Sequence, residues 1–198
     1  MTNMAHYFEN DNSLKSKERQ IKIMIQNQTF TFITDYGVFS KSGLDFGTRT
    51  LLETLPLEKI KGNVLDFGCG YGPIGIYIAK NTSSKVHMID INKRSLKLAK
   101  KNVDLNHVNV KIYESDIYNQ VEEKFDFIIS NPPIRVGKNI LYNILVGAKK
   151  YLKKNGELWI VINKNQGAKT VFQELSKIYQ TEIVKKHKGF FIICAVNN

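Results

Sequence analysis

Three stretches of this 198-residue chain carry residue types at spacings suited to chemistry beside a bound nucleotide. The first is Val64-Leu-Asp-Phe-Gly-Cys-Gly-Tyr-Gly-Pro-Ile-Gly75. Gly68, Gly70 and Gly72 permit a turn whose backbone touches a ligand, because no Cβ stands in the way. Gly70 to Gly75 also satisfies G-x-G-x-x-G, a pattern that by itself equally suits a nicotinamide dinucleotide. The second stretch, Val86-His-Met-Ile-Asp90, ends in a carboxylate 24 residues beyond Asp66, where an acid can hold both hydroxyls of an adenosine ribose. The third, Ser130-Asn-Pro-Pro-Ile134, closes the apolar run Phe125–Ile129. Asn131 offers a side-chain oxygen and Pro132 a carbonyl, and two prolines in series fix φ and make these acceptors rigid. Such a pair can hold the two N–H bonds of an amine. Hydride transfer has no use for it.

The elements that must position these groups follow from the apolar pattern. Val64–Phe67 reads as a strand buried on both faces, which needs no alternation. Pro73 fits the first position of a helix carrying Ile74, Ile76, Tyr77, Ile78 and Ala79. Asn92 is expected to cap a helix with Leu96, Leu98, Ala99, Val103 and Leu105 on its apolar side. Val110–Glu114 is a third strand and Phe125–Ser130 a fourth. A helix from Lys138 to Leu152 should end at Asn155-Gly156. Glu157–Asn163 is then a strand, Gln166–Tyr179 a helix, and Thr181–Lys186 pairs with Gly189–Val196 across Lys188-Gly189. Upstream, Ile21–Ile25 and Thr29–Ile33 alternate as a hairpin with Asn27-Gln28 between them, and Val38 and Phe39 suit a short third strand. A helix from Thr48 to Leu55, capped by Thr48 and stopped by Pro56, presents Leu51, Leu52 and Leu55 on one face.

The chain carries 29 Lys plus Arg against 18 Asp plus Glu, a net charge of +11, and only four of the basic residues are Arg. A lysine-rich excess attracts a polyanion at long range more than it reads base edges, which favours a nucleic-acid partner. Hydrophobic residues make up 42%, enough for one buried core at this length. No apolar run approaches a membrane span, and the amino terminus lacks the pattern of a signal peptide, so the cytoplasm is the expected compartment. Cys69 in the glycine turn and Cys194 in a late strand do not suggest a disulfide framework. No cluster has metal-ligand spacing, and none suggests a Ser/His/Asp nucleophile.

With D-x-G-x-G and N-P-P both present, the chain resembles the class I S-adenosylmethionine (SAM)-dependent methyltransferases. Over residues 36–196, from Gly-Val-Phe-Ser-Lys and Gly-Leu-Asp-Phe-Gly-Thr onward, it is similar to the small methyltransferase domain family, which includes ribosomal RNA guanine-N2 methyltransferases. The resemblance implies an α/β, Rossmann-like fold: a seven-stranded mixed sheet with its last strand antiparallel, helices on both faces and a small N-terminal β hairpin addition. It implies SAM as cofactor, bound by Asp66, Gly68, Cys69, Gly70, Tyr71, Asp90, Ile91, Ser115, Asp116 and Asn131. Asp116 would accept from the adenine amino group and Tyr71 would pack on the methionine part. Asp45, Gly47 and Thr48 stand where family members close a segment over the cofactor.

Methyl transfer to an exocyclic amine would rest on Asn131, Pro132 and Pro133. Ile134, Arg135 and Lys138 would meet the substrate, with Lys164 and Lys169 on the same rim. Family members often carry an aromatic where Ile134 stands. The expected organisation is a polar segment over 1–20, a hairpin and cofactor-covering helix over 21–56, and the SAM-binding domain over 57–198. The expected activity is methylation of guanine N2 in ribosomal RNA, by a monomer with neither metal nor membrane. A protein glutamine N5-methyltransferase and a SAM- and RNA-binding module without turnover are the alternatives.

Overall fold

The computed structural model describes residues 17–35, 43–133 and 137–198. Two strands, β1 (Arg19–Ile25) and β2 (Gln28–Thr34), form the hairpin. Helix α1 (Phe46–Leu52) leads into β3 (Asn63–Phe67), α2 (Pro73–Asn81), β4 (Lys85–Asp90), α3 (Lys93–Asn106) and β5 (Lys111–Glu114). The second half runs β6 (Phe125–Ser130), α4 (Lys138–Tyr151), β7 (Leu152–Asn163), a 3-10 turn at Lys164–Gln166, α5 (Ala168–Ser176), β8 (Gln180–His187) and β9 (Phe190–Val196).

The main sheet has the order β5-β4-β3-β6-β7-β9-β8, parallel except for β9, which runs antiparallel to both its neighbours. The chain steps outward from β3 to β5 and then returns to place β6 on the other side of β3. That reversal makes a topological switch point between β3 and β6, and α/β sheets bind ligands in the crevice at the carboxyl ends of the strands at such a point.

Both faces are covered. Val64, Met88, Ile129, Trp159 and Ile192 face one buried cluster, completed by α1, α2, α3 and the hairpin. Leu65, Phe67, Ile89, Ile128 and Ile193 face the other, completed by Leu141, Leu145 and Ala148 of α4 and Val171 and Leu175 of α5. The period-2 alternation of the strands therefore sorts apolar side chains into two cores. Among the described residues no helix is long and apolar enough to cross a membrane, and no group of three or more His, Cys, Asp or Glu is placed to hold a metal ion.

Four boundaries differ from the sequence expectation, each for a local reason. The hairpin turns at Gln26-Asn27, since Ile25 pairs with Gln28; Gln26 takes the left-handed conformation and the pairing puts Ile23, Ile25, Phe30 and Phe32 inward. Helix α1 is capped by Asp45, not Thr48, because the Asp45 carboxylate accepts from the amides of Gly47 (2.9 Å) and Thr48 (3.2 Å). Strand β7 begins at Leu152, opposite Phe125, so residues 152–156 are strand rather than helix end and linker. Gly156 lets β7 pass β6 there, since a Cβ would lie 3.0 Å from the Phe125 carbonyl. The last helix runs Ala168–Ser176; its start is set by Gly167, which sits at φ +88° and hands the chain from the 3-10 turn to α5. The short strand expected at Val38 and Phe39 lies outside the described residues.

The hairpin is tied to the main domain by polar side chains on the apolar face of α3. Asn102, fully buried, accepts from Ile33 N (2.6 Å) and donates to Ile33 O (2.9 Å) and Tyr71 O (2.8 Å). One turn on, Asn106 donates to Thr31 O (2.8 Å). Arg94 grips the buried Asp35 carboxylate through Nε (2.9 Å) and Nη2 (2.7 Å), which pins the chain where it leaves β2. Both nitrogens donate to Oδ2, and charge-assisted bonds of this kind are stronger than neutral ones.

Candidate active site

The glycine turn joins β3 to α2 at the floor of the crevice. Gly68 and Gly70 take φ of +69° and +56°, and a Cβ at either would meet nothing within 4 Å. The turn thus presents open main chain. Gly75 serves a different end: a Cβ there would lie 2.5 Å from Met88 Cγ, so its absence lets α2 close onto β4. The turn is braced from the next strand. Asp90 accepts from Gly70 N through Oδ2 (2.9 Å) and from Asn92 N through Oδ1 (2.9 Å), while Cys69 N donates to Ile89 O (2.9 Å). Asn92 in turn caps α3, accepting from Arg94 N and Ser95 N.

Asp66 lies beneath the turn. Its Oδ2 accepts from Gly75 N (2.8 Å), whereas Oδ1 is buried without a partner among the described residues. Burial is the main force pushing its pKa up to about 8; the Gly75 amide opposes this and the nearby Asp90 charge adds to it. The unfolded chain ionises this acid near 3.8, so between pH 4 and 8 the folded state binds more protons at this site and its contribution to stability falls as pH rises. We expect the stability of the ligand-free wild type relative to Asp66→Asn, which cannot titrate, to fall across that window. Calorimetric melting from pH 5 to 8 checks this; parallel slopes for the two proteins would contradict it.

Asn131 follows β6. Its Nδ2 donates to Thr48 Oγ1 (2.9 Å) and, at longer range, to Asp45 Oδ2 (3.3 Å) and Oδ1 (3.4 Å). The Thr48 hydroxyl itself donates to Asp45. A carboxylate only accepts, so the amide end facing it must be the NH2, and Oδ1 is the end left to accept from a substrate. The preceding residue is fixed too, Ser130 Oγ donating to Phe67 O (2.8 Å) and tying β6 to β3 beside the turn. Pro132 is buried and Pro133 half-buried. Asp45, Thr48 and Asn131 thus form one network joining α1 to the end of β6, although 86 residues separate its ends.

At the β5 end, Ser115 N donates to Asp90 O (3.0 Å) and Ser115 Oγ to Ile117 O (3.0 Å). Asp116 is exposed next to it, with its amide on Gln120 Oε1 (3.1 Å), and Ile91 is half-buried beside Asp90. Besides Asp66, the side chains of Tyr71 and Cys69, both expected at the cofactor, are buried. Tyr71 is 2% exposed; its ring meets Phe32 edge-on at 5.6 Å and its hydroxyl donates to Gly43 O, so the side chain seals the hairpin onto the turn. Cys69 is likewise buried, and burial together with the Asp66 and Asp90 charges holds its thiol well above the usual range, hence neutral. Ile134 and Arg135 lie outside the described residues, as does the side chain of Lys138. Lys164 and Lys169 are exposed just after β7 and at the start of α5.

Sequence reasoning passed over the contact of Asp45 with Asn131 and the clamp made by Asn102. The second had a signal: an Asn between Ala99 and Val103 on an apolar helix face needs partners if buried.

A sheet of this order, a glycine turn after β3, an acid closing β4 and Asn-Pro-Pro closing β6 define a Rossmann-like class I methyltransferase. Within that class, the chain belongs to the methyltransferase small domain family, whose model matches residues 29–194. It is 41% identical over 195 residues to Bacillus subtilis (strain 168) "Uncharacterized protein YbxB", covering 96% of this chain and 97% of that one. It is 38% identical over 181 residues to ribosomal RNA small subunit methyltransferase C of Haemophilus influenzae (strain Rd), covering 87% of this chain and 54% of that protein. Among solved structures it resembles the T. thermophilus 16S rRNA N2 methyltransferase (RsmC), in complex with AdoMet and guanosine. The TM-score is 0.83 and the identity 24%, over 93% of this chain and 52% of that one. The chain spans about half the length of these ribosomal RNA enzymes.

Proposed function

We propose that this protein is a SAM-dependent RNA methyltransferase acting on guanine N2 of ribosomal RNA, as a monomer in the cytoplasm. The observation that supports the reading is the orientation of Asn131: Asp45 and Thr48 hold its amide nitrogen, which leaves its oxygen as the end that can accept from an N–H donor. The relatives named for ribosomal RNA methylation supply the substrate class.

The site fits the cofactor. Open backbone at Gly68 and Gly70 leaves room for it, Asp90 closes β4 where ribose hydroxyls would be held, and Ser115 and Asp116 flank the place for a purine. When bound, SAM supplies an electrophilic methyl on a sulfonium. The work of the chain is positioning. A guanine amine is a weak nucleophile because its lone pair is delocalised into the ring. Asn131 Oδ1 and the Pro132 carbonyl accept its two N–H bonds, hold the nitrogen in place and stabilise the positive charge that grows on it. Pro132 and Pro133 keep both acceptors from yielding.

Asp90→Ala should weaken SAM binding by about 1–3 kcal/mol, through the lost ribose contacts and the lost brace on Gly70. Titration calorimetry on the folded variant measures it; an unchanged affinity removes Asp90 from the cofactor site. The function itself is tested by nucleoside mass analysis of ribosomal RNA from cells with and without the gene, alongside methylation of that RNA by purified protein and SAM. Loss of N2-methylguanosine, restored by the protein, is the expected result. Methylation of a protein glutamine with no RNA product would overturn the proposal.

A further inference from the structure

Strand β7 runs past the level of the acceptor. Ser130 of β6 pairs with Ile160 of β7, yet β7 continues to Asn163, opposite Phe190 of β9, itself opposite His187 at the end of β8. These rungs rise beyond the level of Asn131 by about two residues, roughly 7 Å at strand spacing. They form a wall beside the crevice. Helix α1 leans on that wall closely enough that a Cβ on Gly47 would lie 2.8 Å from the Phe190 ring.

On the crest of the wall, Phe46 gathers aromatic and cationic groups. The imidazole of His187 stacks on its ring at 5.3 Å and 26°, the Phe190 ring tilts against it at 5.7 Å, and Lys188 Nζ lies 5.2 Å from its centroid. His187, Lys188 and Lys164 are exposed, and Phe46 directly follows the Asp45 that holds Asn131. Edge strands use lysines to block unwanted pairing, which accounts for Lys185 and Lys186 on β8. That need does not account for an exposed imidazole laid flat on a phenyl ring beside two more lysines.

We propose that the Phe46–His187 stack, with Lys188 and Lys164, is a binding subsite for a nucleotide flanking the methylated one in single-stranded RNA. The inference rests on the RNA reading above. Three strand spacings, roughly 14 Å, separate β8 from β6, too far for the target base itself. A neighbouring base stacks on the imidazole, which Phe46 supports from beneath. The lysines meet the adjoining phosphates. Stacking on an aromatic tolerates any base, so the subsite contributes grip without sequence. It also compensates for Ile134, which stacks less well than an aromatic.

The test is fluorescence anisotropy with a short labelled single-stranded RNA, using His187→Ala/Lys188→Ala and His187→Tyr. The double variant should bind about fivefold or more weakly, with its salt slope reduced by about one. The tyrosine variant should bind at least as well as wild type, because it keeps a stacking ring. Melting temperature and SAM affinity should stay as in wild type, which a purely structural stack would not allow. Equal RNA binding by wild type and the double variant, or equal losses for tyrosine and alanine, would overturn the subsite. Wild-type protein that binds no RNA and methylates a protein instead defeats the proposed function, and the subsite with it.

Discussion

Replacing Asn131 by alanine will slow methyl transfer by about 10²-fold or more while leaving SAM affinity within a few-fold, the size of effect seen when one oriented polar group is lost at a reacting centre. The asymmetry follows from geometry. Asn131 reaches the site from the end of β6, whereas the glycine turn and Asp90 lie on β3 and β4, so its loss leaves the cofactor cradle standing. Asp45→Ala should lower the rate in the same direction, because the amide then loses the carboxylate that fixes which of its ends faces the substrate. The two changes should combine less than additively, since they disable one arrangement. Single-turnover rates and SAM titrations on the three variants separate chemistry from binding. An Asn131→Ala enzyme as fast as wild type on its true substrate would remove Asn131 as the amine acceptor.

Asn102→Ala should cost about 2–4 kcal/mol of stability, an effect that exceeds the worth of any one contact. Asn102 is fully buried and satisfies the Ile33 amide, the Ile33 carbonyl and the Tyr71 carbonyl. Removing it strands those groups away from water, and each unsatisfied group carries its own desolvation penalty. Two of the three bonds hold the hairpin and the third holds the glycine turn. The variant should therefore also bind SAM more weakly, although Asn102 lies outside the crevice. Urea unfolding followed by tryptophan fluorescence gives the first number and calorimetry the second. Loss below 1 kcal/mol would mean that water replaces the amide at no cost, and the hairpin clamp would have to be sought in Arg94 and Asp35.

The order of strands and helices, the mixed sheet and the place of the glycine turn were legible from Val64 to Val196, because each depends on local rules. An apolar run between glycines makes a buried strand, Asn before an amphipathic run caps a helix, and Lys188-Gly189 turns a hairpin. The residues at the β3, β4 and β6 ends could be picked out as candidate chemistry for the same reason, since the carboxyl ends of parallel strands lie in three short stretches. Other features depend on partners far away in the chain. Helix α1 starts at Asp45 rather than Thr48 because Asp45 satisfies two amides and meets Asn131, 86 residues on. Tyr71 is packed into the core because Phe32, from the hairpin, is there to receive it. Asn102 is a clamp only because β2 lies across α3. Residue types and spacing thus determined which groups can react, since those are properties of the covalent chain. The tertiary structure alone decided which end of the Asn131 amide is held by Asp45 and Thr48 and which side chains are spent on packing, since both depend on neighbours that only folding brings within hydrogen-bond reach.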